Sequence, residues 1–256
     1  MADALELHLV GIGTGNPEHL TLAAIRTLDA ADLILLPRKG EDKAELLDLR
    51  RDICARLLNG HARIVEFDLP VRAADGDYLA AVADWHDAIA AEWRRQIDAH
   101  LPGGAGKVAL LVWGDPSLYD SSLRIAARLE GMGGTLRVQV VPGITAVQAL
   151  TAAHGIPLND LAAPVVITTG RRLREGGWPA GADAVVVMLD SGGAFQVVEP
   201  DGVRIWWGAY LGMPQQTLLS GALGEVAADI LRTRSSLRQA HGWIMDVYLM
   251  KRGGQE

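Results

Sequence analysis

One cysteine in 256 residues excludes any disulfide within the chain, and Cys54, set in a helical pattern, reads as a small buried hydrophobe. No apolar run approaches the roughly 20 residues that cross a bilayer. The first residues, Met1-Ala2-Asp3-Ala4-Leu5-Glu6, are acidic where a secretion signal is basic, so a cytoplasmic protein with no membrane partner is expected. Positive charge is in deficit: 24 Lys and Arg against 31 Asp and Glu give a formal charge of −7, which argues against a nucleic-acid partner, whose binding rests on clustered cations facing phosphates. Metal-binding patterns are missing too. The seven histidines are scattered, and neither His-Glu-x-x-His nor paired cysteines occur, so no metal is expected. Absence of Gly-x-x-x-x-Gly-Lys-Ser/Thr and of Gly-x-Ser-x-Gly removes support for a phosphate-loop enzyme or a serine hydrolase.

What remains is an ordinary globular composition, 49% hydrophobic and 21% charged, long enough for one large domain or two small ones. Its most informative stretch is Val108 to Trp113, an unbroken apolar run that stops at Gly114-Asp115-Pro116 and restarts as a helix expected over Leu118–Gly131. Such a run suits a strand of a parallel sheet covered on both faces, and ligands of these sheets sit beyond the carboxyl ends of the strands. The pattern recurs twice. Leu5–Ile12 leads into Gly11-Ile12-Gly13-Thr14-Gly15-Asn16-Pro17 and a helical spacing over Glu18–Leu28. Thr135–Val141 leads into Pro142-Gly143-Ile144-Thr145-Ala146 and another helix. Three strand-loop-helix junctions in one half predict a parallel α/β sheet with its loops converging on one edge.

Further along, Asp32–Leu36 reads as a strand running out at Pro37-Arg38-Lys39, followed by an amphipathic helix over Asp42–Leu58 with Ala44, Leu47, Ile53 and Leu57 apolar. Trp85, Ile89 and Trp93 recur every four residues in a helix over Tyr78–His100 and are expected in the core. The helical pattern breaks near Gly155-Ile156-Pro157, which divides the chain into domains 1–157 and 158–256. The second half offers strands at Pro164–Thr169, Ala184–Leu189, Val203–Ala209, Thr217–Ser220 and Trp243–Met250, with one long helix over Leu223–Ala240, so a mixed sheet is expected there. Trp206 and Trp207 should point to opposite faces, one to the core and one to a cleft or interface. Arg171, Arg172 and Arg174, just past a strand exit, could receive substrate carboxylates through bidentate hydrogen bonds or serve as solvated surface charge.

The motifs Val10-Gly-Ile-Gly-Thr-Gly-Asn-Pro17, Gly114-Asp-Pro-Ser-Leu-Tyr119, Val141-Pro-Gly-Ile-Thr145 and Thr168-Thr-Gly170, in that order and spacing, resemble the tetrapyrrole methyltransferases. The resemblance extends over essentially the whole chain. It implies two α/β domains, an N-terminal parallel sheet and a C-terminal mixed sheet, with S-adenosylmethionine folded into the cleft between them. Trp113-Gly-Asp-Pro-Ser-Leu-Tyr-Asp-Ser121, Thr169-Gly-Arg-Arg-Leu173, Trp207-Gly-Ala-Tyr-Leu-Gly212 and His241-Gly-Trp-Ile-Met-Asp-Val-Tyr-Leu249 resemble the members that methylate C1 of precorrin-5 in aerobic cobalamin synthesis and release acetate. The resemblance further implies cofactor contacts from Trp113, Gly114, Asp115, Leu118, Tyr119, Thr145, Ala146, Met188, Tyr210 and Leu211. It places Gly13, Gly15 and Pro17 toward the tetrapyrrole, joined as substrate-side candidates by Arg38, Arg171 and Arg172. Relatives are commonly homodimers, an assembly that Trp206 or Trp207 could serve.

Methyl transfer to an electron-rich ring carbon is an in-line displacement that alignment and water exclusion can accelerate without a side-chain base. Acetate release differs, because a water must attack the acyl carbon. Tyr119, Asp120 and Asp246, with His154, are the candidates by their place in the motifs. Other readings are a methyltransferase of the same fold acting on another corrin, on a protein or on RNA, a nucleotide-dependent oxidoreductase using the glycine loop, and a non-catalytic tetrapyrrole carrier. The oxidoreductase reading lacks both the third glycine of Gly-x-Gly-x-x-Gly and an acidic residue at the end of the next strand.

Overall fold

The computed structural model describes residues 4–38, 44–72 and 77–253. Met1 to Asp3, Lys39 and Asp42, named above, lie outside the described residues. Backbone contacts divide the chain into two units, Met1–Ile144 and Thr145–Glu256. That division falls at the near end of a helix spanning Ala146–His154, while the expected boundary at 157 lies just past its far end.

Unit 1 alternates strand and helix: β1 (Leu5–Gly11), α1 (Leu22–Asp29), β2 (Leu33–Arg38), α2 (Ala44–Leu57), β3 (Arg63–Asp68), α3 (Tyr78–His100), β4 (Gly106–Val112), α4 (Ser122–Gly131) and β5 (Leu136–Val141). The five strands form one parallel sheet in the order β3-β2-β4-β1-β5. Side chains alternate across it. Val108, Leu110 and Val112 join Leu7, Leu9, Ile89, Trp93, Ile125 and Leu129 in a core beneath α3 and α4. Ala109 and Leu111 join Val10, Ile34, Ala24, Leu28, Ile53 and Cys54 beneath α1 and α2 on the other face. Covered on both sides, the central strand β4 has no use for polar residues, which is why Val108 to Val112 reads as a continuous apolar run.

Unit 2 begins with α5 (Ala146–His154), whose end is set by Gly155 in the left-handed conformation. It continues with β6 (Val165–Thr169), α6 (Gly170–Gly176), β7 (Ala184–Met188), β8 (Val203–Ala209), β9 (Thr217–Ala222), α7 (Leu223–His241) and β10 (Asp246–Arg252). The sheet order is β6-β7-β10-β8-β9, with β6 and β7 parallel and the other pairs antiparallel. This is the mixed sheet expected. Trp207 is fully buried, whereas Trp206 on the opposite face lies beneath Arg204 and Lys251, 5.7 and 5.9 Å from the ring centre.

Four local expectations change. The helix expected from Glu18 is a single 3-10 turn at Pro17–His19, after which the Thr21 side chain caps α1. The helix expected from Leu118 starts at Ser122, because Tyr119 takes a positive φ of 50° that no helix tolerates. The final strand starts at Asp246 rather than Trp243, since Trp243 and Met245 use their carbonyls to hold Tyr210. Helix α6 was unforeseen, and Arg171, Arg172 and Arg174 stand on it.

Candidate functional site

The three glycine junctions of unit 1 meet at the carboxyl edge of its sheet. Gly13 and Gly114 form an isolated antiparallel bridge, with Gly114 N–H donating to Gly13 O at 2.8 Å and Gly13 N–H to Gly114 O at 3.3 Å. Gly143 packs into the same point. A Cβ on Gly143 would stand 2.1 Å from Gly114 O, and one on Gly11 would stand 2.6 Å from Gly143 N. Three backbones therefore touch where any side chain would wedge them apart.

Asp115 braces this junction. One carboxylate oxygen accepts the Ser117 N–H at 2.8 Å and the Ser117 hydroxyl at 2.5 Å, and the other accepts the Gly143 N–H at 2.9 Å. Burial works against its charge, but the bonds from Ser117 and Gly143 outweigh it and hold the carboxyl below its ordinary range. Trp113, Leu118 and Tyr119 flank this brace, and Tyr119 is 44% exposed despite its strained backbone. Burial of the phenol raises its pKa. Asp120 follows, one oxygen accepting the Ser122 N–H at 2.6 Å, which starts α4; its other oxygen takes no hydrogen bond among the described residues.

The glycine loop after β1 is ordered by its own side chains. Buried Thr14 bonds His19 at 3.1 Å, and Asn16 accepts the Glu18 N–H at 2.9 Å around Pro17. The nearby Gly15 has φ 114°, a conformation only glycine takes easily. Arg38, at the end of β2, makes a bidentate pair with Asp68 at 2.8 and 3.0 Å, which raises the guanidinium pKa.

In unit 2, Thr145 caps α5 in a reciprocal box with Gln148, placing Ala146 in the first turn. Met188 ends β7, and beyond it Leu189 adopts φ 51° while 65% exposed. Tyr210, with φ 50°, is buried; its hydroxyl donates to Trp243 O at 2.5 Å, and Leu211 beside it is buried. Of the four non-glycine residues with positive φ among those described, Tyr119, Leu189 and Tyr210 coincide with or adjoin expected cofactor positions. Strained backbone of this sort persists only where the surroundings enforce it, and it clusters at ligand sites.

A buried knot, not foreseen, supports this end of the second sheet. Asp190 accepts hydrogen bonds from Arg174 at 2.7 Å, Ala194 N–H at 2.5 Å, Gly192 N–H at 3.1 Å and the Tyr248 hydroxyl at 2.9 Å. Burial opposes its charge, yet these donors keep its pKa low. Gly170 is what admits it, since a Cβ there would meet the Asp190 carboxylate at 2.3 Å. Arg234 donates to Asp190 O at 2.8 Å and to Asp246 at 2.9 Å, and Trp207 donates to the same Asp246 oxygen at 3.0 Å. Burial raises the Asp246 pKa in spite of Arg234. His154 bonds Trp207 O at 3.0 Å. Arg174 is thus committed to Asp190, while Arg171 and Arg172 are exposed near Glu175, Arg171 at 2.8 Å. The sequence hint for the knot was Asp190, the acid directly after the apolar run Ala184 to Leu189.

The sequence profile of the Tetrapyrrole (Corrin/Porphyrin) Methylases matches residues 6–227. The chain belongs to this family. Its relatives include precorrin-6A synthase (deacetylating) of Sinorhizobium sp, 48% identical over 248 residues that cover 96% of this chain and 94% of that one. Among solved structures, the cobalamin synthesis related protein CobF of Corynebacterium diphtheriae superposes with a TM-score of 0.84 at 40% identity, covering 97% of this methylase and 99% of its own chain. The uroporphyrin-III C-methyltransferase of Thermus thermophilus, solved with S-adenosyl homocysteine, shares the fold at a TM-score of 0.60 and 21% identity over 96% and 92% of the two chains. The methylase has no helix long and apolar enough to cross a membrane, and no metal-ligand cluster, among the described residues.

Proposed function

We propose that this methylase transfers a methyl group to C1 of precorrin-5 and releases the extruded acetyl group as acetate, giving precorrin-6A in aerobic cobalamin biosynthesis. The full-length 48% identity to a deacetylating precorrin-6A synthase carries the reading. S-adenosylmethionine supplies an electrophilic methyl on a sulfonium. The residues assigned to it are Trp113, Gly114, Asp115, Leu118 and Tyr119 in unit 1 and Thr145, Ala146, Met188, Tyr210 and Leu211 in unit 2. They suit a cation of that kind: none is basic, and Asp115 adds one carboxylate held in its charged form. Their work is positioning. A junction of three backbones and a braced carboxylate cannot drift, and fixed alignment of two reactants can be worth about 7–11 kcal/mol of barrier.

Gly13, Gly15 and Pro17 are assigned to the tetrapyrrole side, with Arg38, Arg171 and Arg172 for its carboxylates. For acetate release, Asp120 is the favoured base. It has an oxygen without a hydrogen bond among the described residues, whereas Asp246 is spoken for by Arg234 and Trp207 and lies almost wholly buried. The deciding experiment is anaerobic incubation with S-adenosylmethionine and precorrin-5, read by mass spectrometry and an acetate assay. A methylated product with equimolar acetate is expected; a product that gains a methyl but keeps its acetyl group overturns the deacetylating assignment.

A further inference from the structure

Unit 1 contains a cavity of about 240 Å³ at the carboxyl ends of β2 and β4, walled by Leu46, Arg50, Trp85, Ile89, Trp93 and Asp120 among others. Its origin is topological. Helix α2, which follows β2, packs on one face of the sheet, and α4, which follows β4, packs on the other, so the chain leaves these neighbouring strands in opposite directions and a crevice opens between them. The β2–β4 ladder accordingly ends at Leu35 and Leu110. On its other edge β4 stays paired with β1 through Val112, and the Gly13–Gly114 bridge closes that seam.

One cation of the crevice lacks the partner its chemistry demands. Arg50 crosses it from α2, donating from Nε to Leu111 O and from Nη1 to Leu46 O, each at 3.1 Å. Of its five N–H groups, three take no acceptor, and it forms no ion pair among the described residues. Burial lowers its pKa to about 10, with the Asp120 charge acting in the opposite direction, so it stays cationic at neutral pH. Trp93, 3% exposed, lines the same crevice, and its indole N–H, sealed from solvent, has no acceptor among the described residues. A cation with free N–H groups on aliphatic and indole walls is a site for a small anion with oxygen acceptors and an apolar body. The planar fork of guanidinium matches a carboxylate.

We propose that this crevice is a carboxylate-binding site in which Arg50 holds both oxygens of the ligand. Naming the carboxylate's source rests on the methyltransferase reading above: it is either an arm of the tetrapyrrole or the acetate set free. Asp120 on the same wall is fastened to the N-terminus of α4, where the helix dipole offsets part of its charge.

The test uses the full chain and three variants. Arg50→Met removes the cation, Trp93→Phe trims the indole wall and takes its N–H with it, and Leu46→Glu puts a carboxylate one helical turn before Arg50, where it should pair internally and occupy the site. Sodium acetate and sodium propionate are titrated by tryptophan fluorescence and by saturation-transfer NMR against sodium chloride at equal ionic strength. Circular dichroism and S-adenosylhomocysteine binding report the fold. Saturable acetate binding that weakens at least 10-fold in Leu46→Glu and Arg50→Met and a few-fold in Trp93→Phe assigns the site to free acetate. Absence of acetate binding with a 10-fold or larger rise in KM for precorrin-5, at nearly constant kcat, assigns it to a substrate arm. If folded Leu46→Glu and Trp93→Phe match the wild type in both carboxylate binding and KM, the proposal fails. Should the wild type transfer no methyl group, the methyltransferase reading fails, and the titrations with acetate and propionate alone decide the crevice.

Discussion

Gly143 and Asp115 make opposite demands on a single contact: one requires that nothing be present, the other that a charge be present. For Gly143→Ala we expect the new Cβ to push against Gly114 O, separating the junction of unit 1. Overpacking of this kind costs about 1–3 kcal/mol, visible as a lowered Tm together with weaker S-adenosylhomocysteine binding by calorimetry. For Asp115→Asn the Gly143 N–H loses a charged acceptor, at a cost of about 1.5–3 kcal/mol. The pH dependence has a definite sign. Because the folded pKa of Asp115 is depressed, its contribution is complete above the ordinary carboxylate value of about 3.9 and is lost as pH falls through the folded value. Denaturation curves at pH 7 and pH 3 should therefore differ less for Asp115→Asn than for the wild type. Asp120 is tested separately: Asp120→Asn should lower acetate release by about 10²–10⁴-fold, the usual worth of a general base, with S-adenosylhomocysteine affinity unchanged.

At the scale of elements, what could be read from the chain depended on whether a pattern is local. β4 was legible because burial on both faces leaves an uninterrupted apolar run, and α3 because Trp85, Ile89 and Trp93 share one face. Helix α6 was not, since its seven residues hold a single buried leucine and its position rests on Thr169 capping and on Asp190 filling the space above Gly170. The start of α4 was misplaced because the left-handed turn at Tyr119 is imposed by the loop around it. Arg50 carried a readable hint, standing three residues after Leu47 and four before Cys54 within the apolar stripe of α2, but the parting of β2 from β4 is a property of the sheet alone. Asp190 after its apolar run hinted at one member of the Asp190–Arg234–Asp246 knot, but the pairing could not be read, because it joins the loop after β7 to α7 and β10 across more than 50 residues. Removing its cation leaves a buried carboxylate uncompensated, so Arg234→Ala should destabilise the protein by about 3–5 kcal/mol, measured by urea unfolding.

Taken whole, the molecule is an acidic protein assigned a substrate with carboxylate arms. At low ionic strength the net charge of −7 repels such a ligand over the roughly 30 Å Debye length of 0.01 M salt, and at 0.15 M that range contracts to about 8 Å. Raising salt between these limits should increase kcat/KM for precorrin-5, the reverse of an enzyme that steers an anion by its overall field. Stopped-flow or initial-rate measurements across that range distinguish the two. Cations such as Arg38 and Arg50 would then act by contact after encounter.

The sheet order of unit 1 also dictates a sequence of events at the ribosome. β1 emerges first, yet both of its neighbours, β4 and β5, lie roughly 100 or more residues downstream. At a synthesis rate of about 5–20 residues per second, Leu5–Gly11 waits on the order of 5–20 s with both hydrogen-bonding edges unpaired and its apolar faces uncovered, and β2 lacks its inner neighbour for nearly as long. The nascent half-domain is thus a natural client for chaperones until Gly106–Val112 clears the exit tunnel and inserts at the middle of the sheet.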